Sequence, residues 1–150
     1  MSTMTVLFWI SSILILPFWM LMWFLPKHEI TAKLLGNPWY CIAPLTVPYV
    51  LLVIPNLLDI FLLLGTQMPT PEIVLEMFDD DTTIMLAWLH MLALDTLAGR
   101  WIWKRMNTTE KPIWVSMPTL LLCMMVAPLG VLLGMSITHE IETKKQEMTA

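Results

Sequence analysis

Three ionisable side chains lie within one apolar stretch of the chain. They are His90, Asp95 and Arg100, and the stretch runs from about Ile84 to Trp103, which is long enough to cross a bilayer as a helix. A charged side chain near the bilayer centre costs at least about 2.5 kcal/mol, so such residues face a protein interior or a cavity and find partners there. These three residues are therefore the best candidates for a functional site.

The spacing of the three residues indicates how they project from this helix. Each is five positions from the next, and five residues turn an α-helix through about 140°. His90, Asp95 and Arg100 therefore cannot form a ladder along one face. We expect this helix to be surrounded by the others, or to line a cavity and meet partners on several sides.

Each of these residues also has a structural interpretation. Asp95 could form a structural pair with His90, Arg100 or a polar group of another helix, or it could transfer protons. His90 could be a hydrogen-bonded core residue, a general base, or a ligand for a metal or a chlorophyll-type magnesium. Arg100 could equally anchor the helix at the membrane surface. A multi-histidine di-iron site is excluded, since His28 and His139 are predicted outside the hydrocarbon.

The composition defines the class of protein. Hydrophobic residues make up 57% of the 150 residues and charged residues 13%, and the mean hydropathy is +0.72. These values are typical of an integral membrane protein. The absence of a basic cluster argues against nucleic acid as a partner. Cys41 and Cys123 have no metal-ligand spacing and are interpreted as packing residues.

The apolar stretches predict an all-α membrane protein, a four-transmembrane-helix bundle with the third helix central, in a single transmembrane domain over residues 1–150. The second stretch contains prolines, after which Asn56 and Asp59 follow. We interpret this polar pair as a second wall of the site. The predicted helices cover residues 6–25, 39–64, 84–103 and 113–137, and a polar tail covers 138–150.

The connections between the predicted helices differ in charge. The first and third are polar loops that contain Lys or Arg, whereas the second contains none, and a short surface helix is predicted in it from Pro71. The positive-inside rule places the basic loops on the cytoplasmic or stromal side and both termini on the non-cytoplasmic side. Asp79, Asp80 and Asp81 are interpreted as residues that oppose a helix dipole rather than bind a metal. No cleaved signal or transit peptide is expected.

Four local patterns occur in order along the second half of the chain. They are Trp88-Leu89-His90, Leu92-Ala93-Leu94-Asp95, Gly99-Arg100, and the late Pro128-Leu129-Gly130, and Phe78-Asp79-Asp80 precedes them. In these patterns the sequence resembles the abscisic-acid-deficient-four-like family, which includes plant membrane proteins needed to form neoxanthin. The resemblance is concentrated in residues 78–134. The short loops and Gly99 depart from the plant pattern.

The resemblance implies a chemistry for the site. The reaction implied for the plant members is conversion of the 5,6-epoxide end group of violaxanthin into the allenic end group of neoxanthin, without net redox change and without a required cofactor. The catalytic residues would be His90, Asp95 and Arg100. His90 and Asp95 would be the acid and the base, in an order that the resemblance leaves open, and Arg100 would be the polarising group. Asn56, Asp59 and Trp88 are the predicted substrate-binding residues, and the hydrophobic polyene would enter from the lipid bilayer.

A second hypothesis competes with this enzyme. The chain could be a non-catalytic subunit that binds a carotenoid or chlorophyll-type pigment, or that scaffolds a photosynthetic membrane complex through protein partners or a homo-oligomer. A proton-coupled transporter is disfavoured by the lack of an internal repeat. Either leading hypothesis fits a bacterial inner or photosynthetic membrane, or a plastid membrane.

Overall fold

The computed structural model describes residues 3–66 and 70–141, and all regular structure within these ranges is helical. The predicted all-α class is confirmed. In chain order the helices are α1 (Thr3–Phe24), α2 (Glu29–Gly36), α3 (Pro38–Thr66), α4 (Pro71–Met77), α5 (Asp81–Thr108), α6 (Ile113–Met125) and α7 (Ala127–Ile137).

Three of these helices, α1, α3 and α5, are long and apolar enough to cross a membrane. They correspond to the first three predicted spans. The connection predicted as a polar loop between α1 and α3 instead contains α2, which begins after the cap residue His28. The predicted surface helix from Pro71 is present as α4, which buries no residue. The backbone N–H of Glu72 and the Thr70 hydroxyl lower the pKa of the exposed Glu72 carboxyl.

Helix α5 is the central element, as predicted, since it packs against α1, α3, α6 and α7. The Nε1–H of Trp19 donates to the Thr96 hydroxyl at 3.3 Å, and the Nε1–H of Trp103 donates to the Pro26 carbonyl at 2.9 Å. Going from the first contact to the second, the residue number rises in both segments, so α1 and α5 run parallel. Tyr49 of α3 lies against His90, whereas the preceding α2 carbonyls lie against Arg100, so α3 is antiparallel to α5.

The predicted fourth span is wrong. Residues 113–137 form two helices that are separated at Val126, whose φ and ψ are −146° and 78°. Pro128 lies in the first turn of α7, where its missing N–H costs nothing, whereas in a continuous helix its ring would clash with a carbonyl of the preceding turn. The apolar run was long enough to cross the bilayer, but it folds back on itself.

The two ends of this α6–α7 hairpin lie at the same end of α5. Lys111, just before α6, forms a 3.0 Å ion pair with Glu140, just after α7. Arg105 near the end of α5 donates to the hydroxyl and the carbonyl of Thr138 at 2.8 and 3.1 Å. The hairpin therefore enters the bundle and returns to the face from which it came.

This hairpin changes the topology. We call the end of the bundle with Lys27, Lys33, Lys104 and Lys111 the basic end, and the opposite end, with Asp79, Asp80 and Asp81, the acidic end. Thr3 begins α1 at the acidic end, whereas residues 138–141 lie at the basic end. The prediction that both termini share one face therefore fails for the chain as far as Ile141. Residues 142–150 of the predicted tail lie outside the described ranges.

Two glycines explain how closely the hairpin packs. A Cβ on Gly130 would overlap the backbone of Cys123, and one on Gly134 would lie 2.7 Å from the Cδ1 atom of Ile102. Gly130 thus closes α7 against α6, and Gly134 closes α7 against α5. Small residues four apart permit such approach between membrane helices.

Candidate functional site

The three ionisable residues of α5 project in different directions and meet different neighbours, as their spacing predicted. They do not form one cluster. Within the described part of the chain, Asp95 makes no ion pair or hydrogen bond with either His90 or Arg100. Each side chain therefore has its own surroundings.

Arg100 has a structural partner. Its side chain is buried, with 9% of the residue exposed, and its Nε and Nη2 atoms donate to the carbonyls of Leu35 and Gly36 at 2.6 and 2.7 Å. The last carbonyls of a helix have no intrahelical donors and carry the negative end of its dipole. Arg100 therefore fixes the C-terminus of α2 against α5, a structural role that differs from the predicted anchor at the membrane surface.

His90 lies on the outside of the bundle. The residue is exposed, and its ring lies 5.7 Å from the ring of Tyr49, at an interplanar angle of 55°. Since a five-residue step turns the helix by about 140°, His90 and Asp95 face different sides of α5. The two predicted acid–base partners therefore do not share one cavity wall.

Asp95 lies at the depth where the hairpin turns. Gly134 packs against Ile102, and Ala127 precedes Gly134 by as many residues as Asp95 precedes Ile102. Since α7 runs parallel to α5 there, Ala127 and Asp95 lie at about the same depth. Cys123, near the end of α6, is also close enough to Asp95 to interact with it electrostatically.

The carboxyl of Asp95 has no hydrogen bond or ion pair with any residue in the ranges 3–66 and 70–141. It is partly buried and lies about 21 Å along α5 from Asp81, at 1.5 Å per residue. The N-terminus of α7, at the same depth, presents the positive end of a helix dipole. Asp95 is thus a mid-membrane carboxyl whose oxygens remain available to a bound molecule.

Trp88, a predicted substrate-binding residue, lies on the Asp95 face of α5. Seven residues separate the two positions, which is about two helical turns. The Trp88 ring lies 5.7 Å from the ring of Phe8 on α1. The structure therefore places an aromatic pair above Asp95, toward the acidic end.

Asn56 and Asp59 line a separate cleft at the acidic end. It has a volume of about 540 Å³ and lies between α3, α4 and the start of α5, with Glu76, Asp80 and Thr83 among its lining residues. Asp80 is the cap residue of α5, and its carboxylate accepts from the Thr83 N–H at 3.0 Å. Neither His90 nor Asp95 lines this cleft. The predicted two-walled site is therefore divided between two places.

A metal site at the acidic end is not supported. Within the described residues there is no group of three or more His, Cys, Asp or Glu side chains arranged to hold a metal ion. The interpretation of Asp80 as a helix-terminal residue is confirmed by its capping contact.

Trp19 and Thr96 belong to the surroundings of Asp95 and were not predicted as site residues. Thr96 follows Asp95, accepts from Trp19 and donates to the Leu92 carbonyl at 2.8 Å. Gly99, one turn after Thr96, leaves space for the Trp19 ring, since a Cβ on Gly99 would lie 2.5 Å from the Cη2 atom of Trp19. A threonine and a glycine one turn apart on an apolar helix were the available signal.

Comparison with known proteins identifies the family. The ABA4-like family model, described as ABA DEFICIENT 4-like, matches residues 6–133. The chain is 29% identical over 140 residues to the chloroplastic protein ABA DEFICIENT 4 of Arabidopsis thaliana. This alignment covers 83% of the present chain and 56% of the relative. The chain thus spans about half the length of this curated relative. No solved structure matches. With its family model covering most of the sequence, this chain belongs to the ABA DEFICIENT 4-like family.

Proposed function

We propose that this protein isomerises the end group of a carotenoid within the membrane, with Asp95 as the group that transfers the proton. The observation that carries the proposal is the position of Asp95. Its carboxyl lies at the turn of the α6–α7 hairpin, without a hydrogen bond or ion pair to any described residue. A polar group at this depth that served structure alone would be expected to have a partner.

The proposed reaction moves one proton and changes no oxidation state. The Asp95 carboxylate removes the proton from the polyene carbon next to the epoxide. The released electron pair forms the new carbon–carbon double bond of the allene as the adjacent carbon–oxygen bond breaks. The protonated carboxyl then returns the proton to the oxygen, which becomes a hydroxyl on the neighbouring ring carbon. Atoms and electrons balance within the substrate, so this proposal requires no redox cofactor.

This proposal revises the roles of the other two α5 residues. Arg100 holds the end of α2 and acts as a positioning residue for the helix that carries Asp95. His90 faces the Tyr49 side, so it does not exchange protons directly with Asp95 in this mechanism. Instead, one carboxyl takes the proton from the polyene carbon and gives it to the epoxide oxygen, so it acts as base and then as acid.

The test is expression of the chain in a host that accumulates an epoxidised carotenoid, followed by pigment analysis. We expect a new allenic end group with the wild-type chain, loss of that product with Asp95→Asn, and retention with Asp59→Asn, whose carboxyl lies in the separate cleft. Retained conversion by Asp95→Asn would overturn the assignment. Unchanged pigment with the wild-type chain, at confirmed expression in the membrane, would remove the proposed reaction.

A second candidate function is pigment binding without catalysis, and the position of His90 favours it. An imidazole on the outside of the bundle, beside the Tyr49 ring, could ligate the magnesium of a chlorophyll-type pigment held between copies of this chain or other membrane proteins. Purification with stoichiometric chlorin that is lost in His90→Phe and kept in Asp95→Asn would support it. Purification without chlorin from a chlorophyll-producing host would count against it.

For the location, we propose a plastid or photosynthetic membrane with the basic end on the stromal or cytoplasmic side. The relative is chloroplastic by name, and the basic loops follow the positive-inside rule. In a bacterial inner membrane the protein would have the same orientation, with the basic end on the cytoplasmic side.

A further inference from the structure

The face of α5 that carries Asp95 changes from open to covered at Asp95 itself. The residues of this face follow one another at alternating steps of three and four: Trp88, Leu92, Asp95, Gly99, Ile102 and Met106. Trp88 is 38% exposed, whereas Ile102 and Met106 are 0% and 1% exposed. The neighbouring row of Met91 and Arg105 shows the same change, from 50% to 9% exposed.

The hairpin is the cause of this change. Its two ends lie at the basic end of α5, and its turn at Val126 reaches only the depth of Asp95. Beyond that depth no part of α6 or α7 covers α5. Met125 and Val126, at the turn, are themselves exposed. In the half of the membrane at the acidic end, this face of α5 is therefore open above the hairpin turn, and we call the open face with Trp88, Met91 and Asp95 the crevice.

The walls of this crevice come from α1 and α5. The Phe8 ring contacts the Trp88 ring, and Met91 stands between Trp88 and Asp95 along α5. Flat and polarisable side chains of this kind pack well against conjugated apolar molecules. Asp95, which is partly buried, lies at the lower end of this open face, and the hairpin covers α5 in the opposite half of the membrane.

We infer that this crevice binds one polyene molecule that enters from the leaflet at the acidic end, with the end group to be modified inserted down to Asp95. The rest of the conjugated chain extends past Met91 and Trp88, over the roughly 21 Å that separates Asp95 from the start of α5. The inference rests on the proposed function for the identity of the ligand. It adds the leaflet of entry, the orientation of the substrate and Met91 as a binding residue.

The test is pigment retention by the full chain reconstituted in nanodiscs with an excess of epoxidised xanthophyll. Met91→Trp fills the crevice, and Leu94→Trp is its matched control, because both wild-type residues are 50% exposed but Met91 lies about 40° around α5 from Asp95, whereas Leu94 lies about 100° from it. We expect Met91→Trp to retain at least about tenfold less pigment per protein than wild type. Leu94→Trp should retain the wild-type amount.

The outcomes separate this inference from the proposed function. Equal retention by Met91→Trp and Leu94→Trp, retention of phospholipid in place of the polyene, or an oligomer that is lost on filling the crevice would each overturn the inference. Normal retention that is sensitive to Met91→Trp, without any end-group conversion by wild type, would support the crevice and overturn the proposed reaction. The circular dichroism and elution of Met91→Trp must match those of Leu94→Trp.

Discussion

The two halves of α5 carry their charges for different reasons. In the half toward the basic end, Arg100 and Arg105 are buried, and both donate to the ends of other helices. In the half toward the acidic end, His90 and Asp95 make no hydrogen bond or ion pair with a described residue. The partners of Arg100 and Arg105 show what these charges do for the fold, whereas the lack of such partners at Asp95 supports its proposed role in the site.

The largest expected effect concerns the side of the membrane on which each end of the bundle lies. With an impermeant thiol reagent on sealed right-side-out vesicles, His139→Cys should behave as Lys33→Cys does, and both should be opposite to Glu76→Cys. Cys41 and Cys123 are buried, so the wild-type chain serves as the blank. Labelling of His139→Cys together with Glu76→Cys would restore a fourth crossing and contradict the α6–α7 hairpin.

The next effect is on stability. Arg100→Leu leaves two helix-terminal carbonyls, one buried and one partly buried, without these donors and should lower the free energy of unfolding in detergent by about 3 kcal/mol. Arg100→Lys should lose part of that amount, since an ammonium cannot reproduce the two-pronged contact. Asp95→Asn should change stability by less than about 0.5 kcal/mol, because the carboxyl has no described partner. Equal losses for Arg100→Leu and Asp95→Asn would show that both charges are structural.

The two glycines of the hairpin should differ in how much stability is lost when a methyl group is added. Gly130→Ala places a methyl group on the Cys123 backbone, which cannot move without opening the hairpin, so we expect a loss of about 3 kcal/mol. Gly134→Ala meets only the tip of the Ile102 side chain and should cost about 1 kcal/mol. Thermal unfolding of both variants measures the difference. The reverse order would contradict the packing that holds the turn beside Asp95.

The smallest effect is expected at the ion pair that joins the hairpin ends. Lys111→Ala removes a contact at the membrane surface, and partly exposed pairs contribute less than about 1 kcal/mol. Lys104→Ala, also at the basic end and exposed, is the control. A loss well above 1 kcal/mol that persists in high salt would mean that this pair, rather than the buried Arg105 contact, holds the hairpin closed.

Local chemistry was enough to predict much of the molecule. Apolar length and the scarcity of charge identified α1, α3 and α5, because a helix is the way a single chain segment satisfies its backbone within lipid. The spacing of His90, Asp95 and Arg100 was enough to show that they diverge.

Only the tertiary structure decided where the chain turns and which charges have partners. Hydropathy is the same for an apolar segment that crosses the membrane and for one that folds back at Val126, so residues 113–137 were assigned a span. The carbonyls that occupy Arg100 come from Leu35 and Gly36, too far away in sequence for any local pattern to pair them. The order of residues determined which charges enter the membrane, and long-range packing determined that Arg100 is held by the fold while Asp95 remains open.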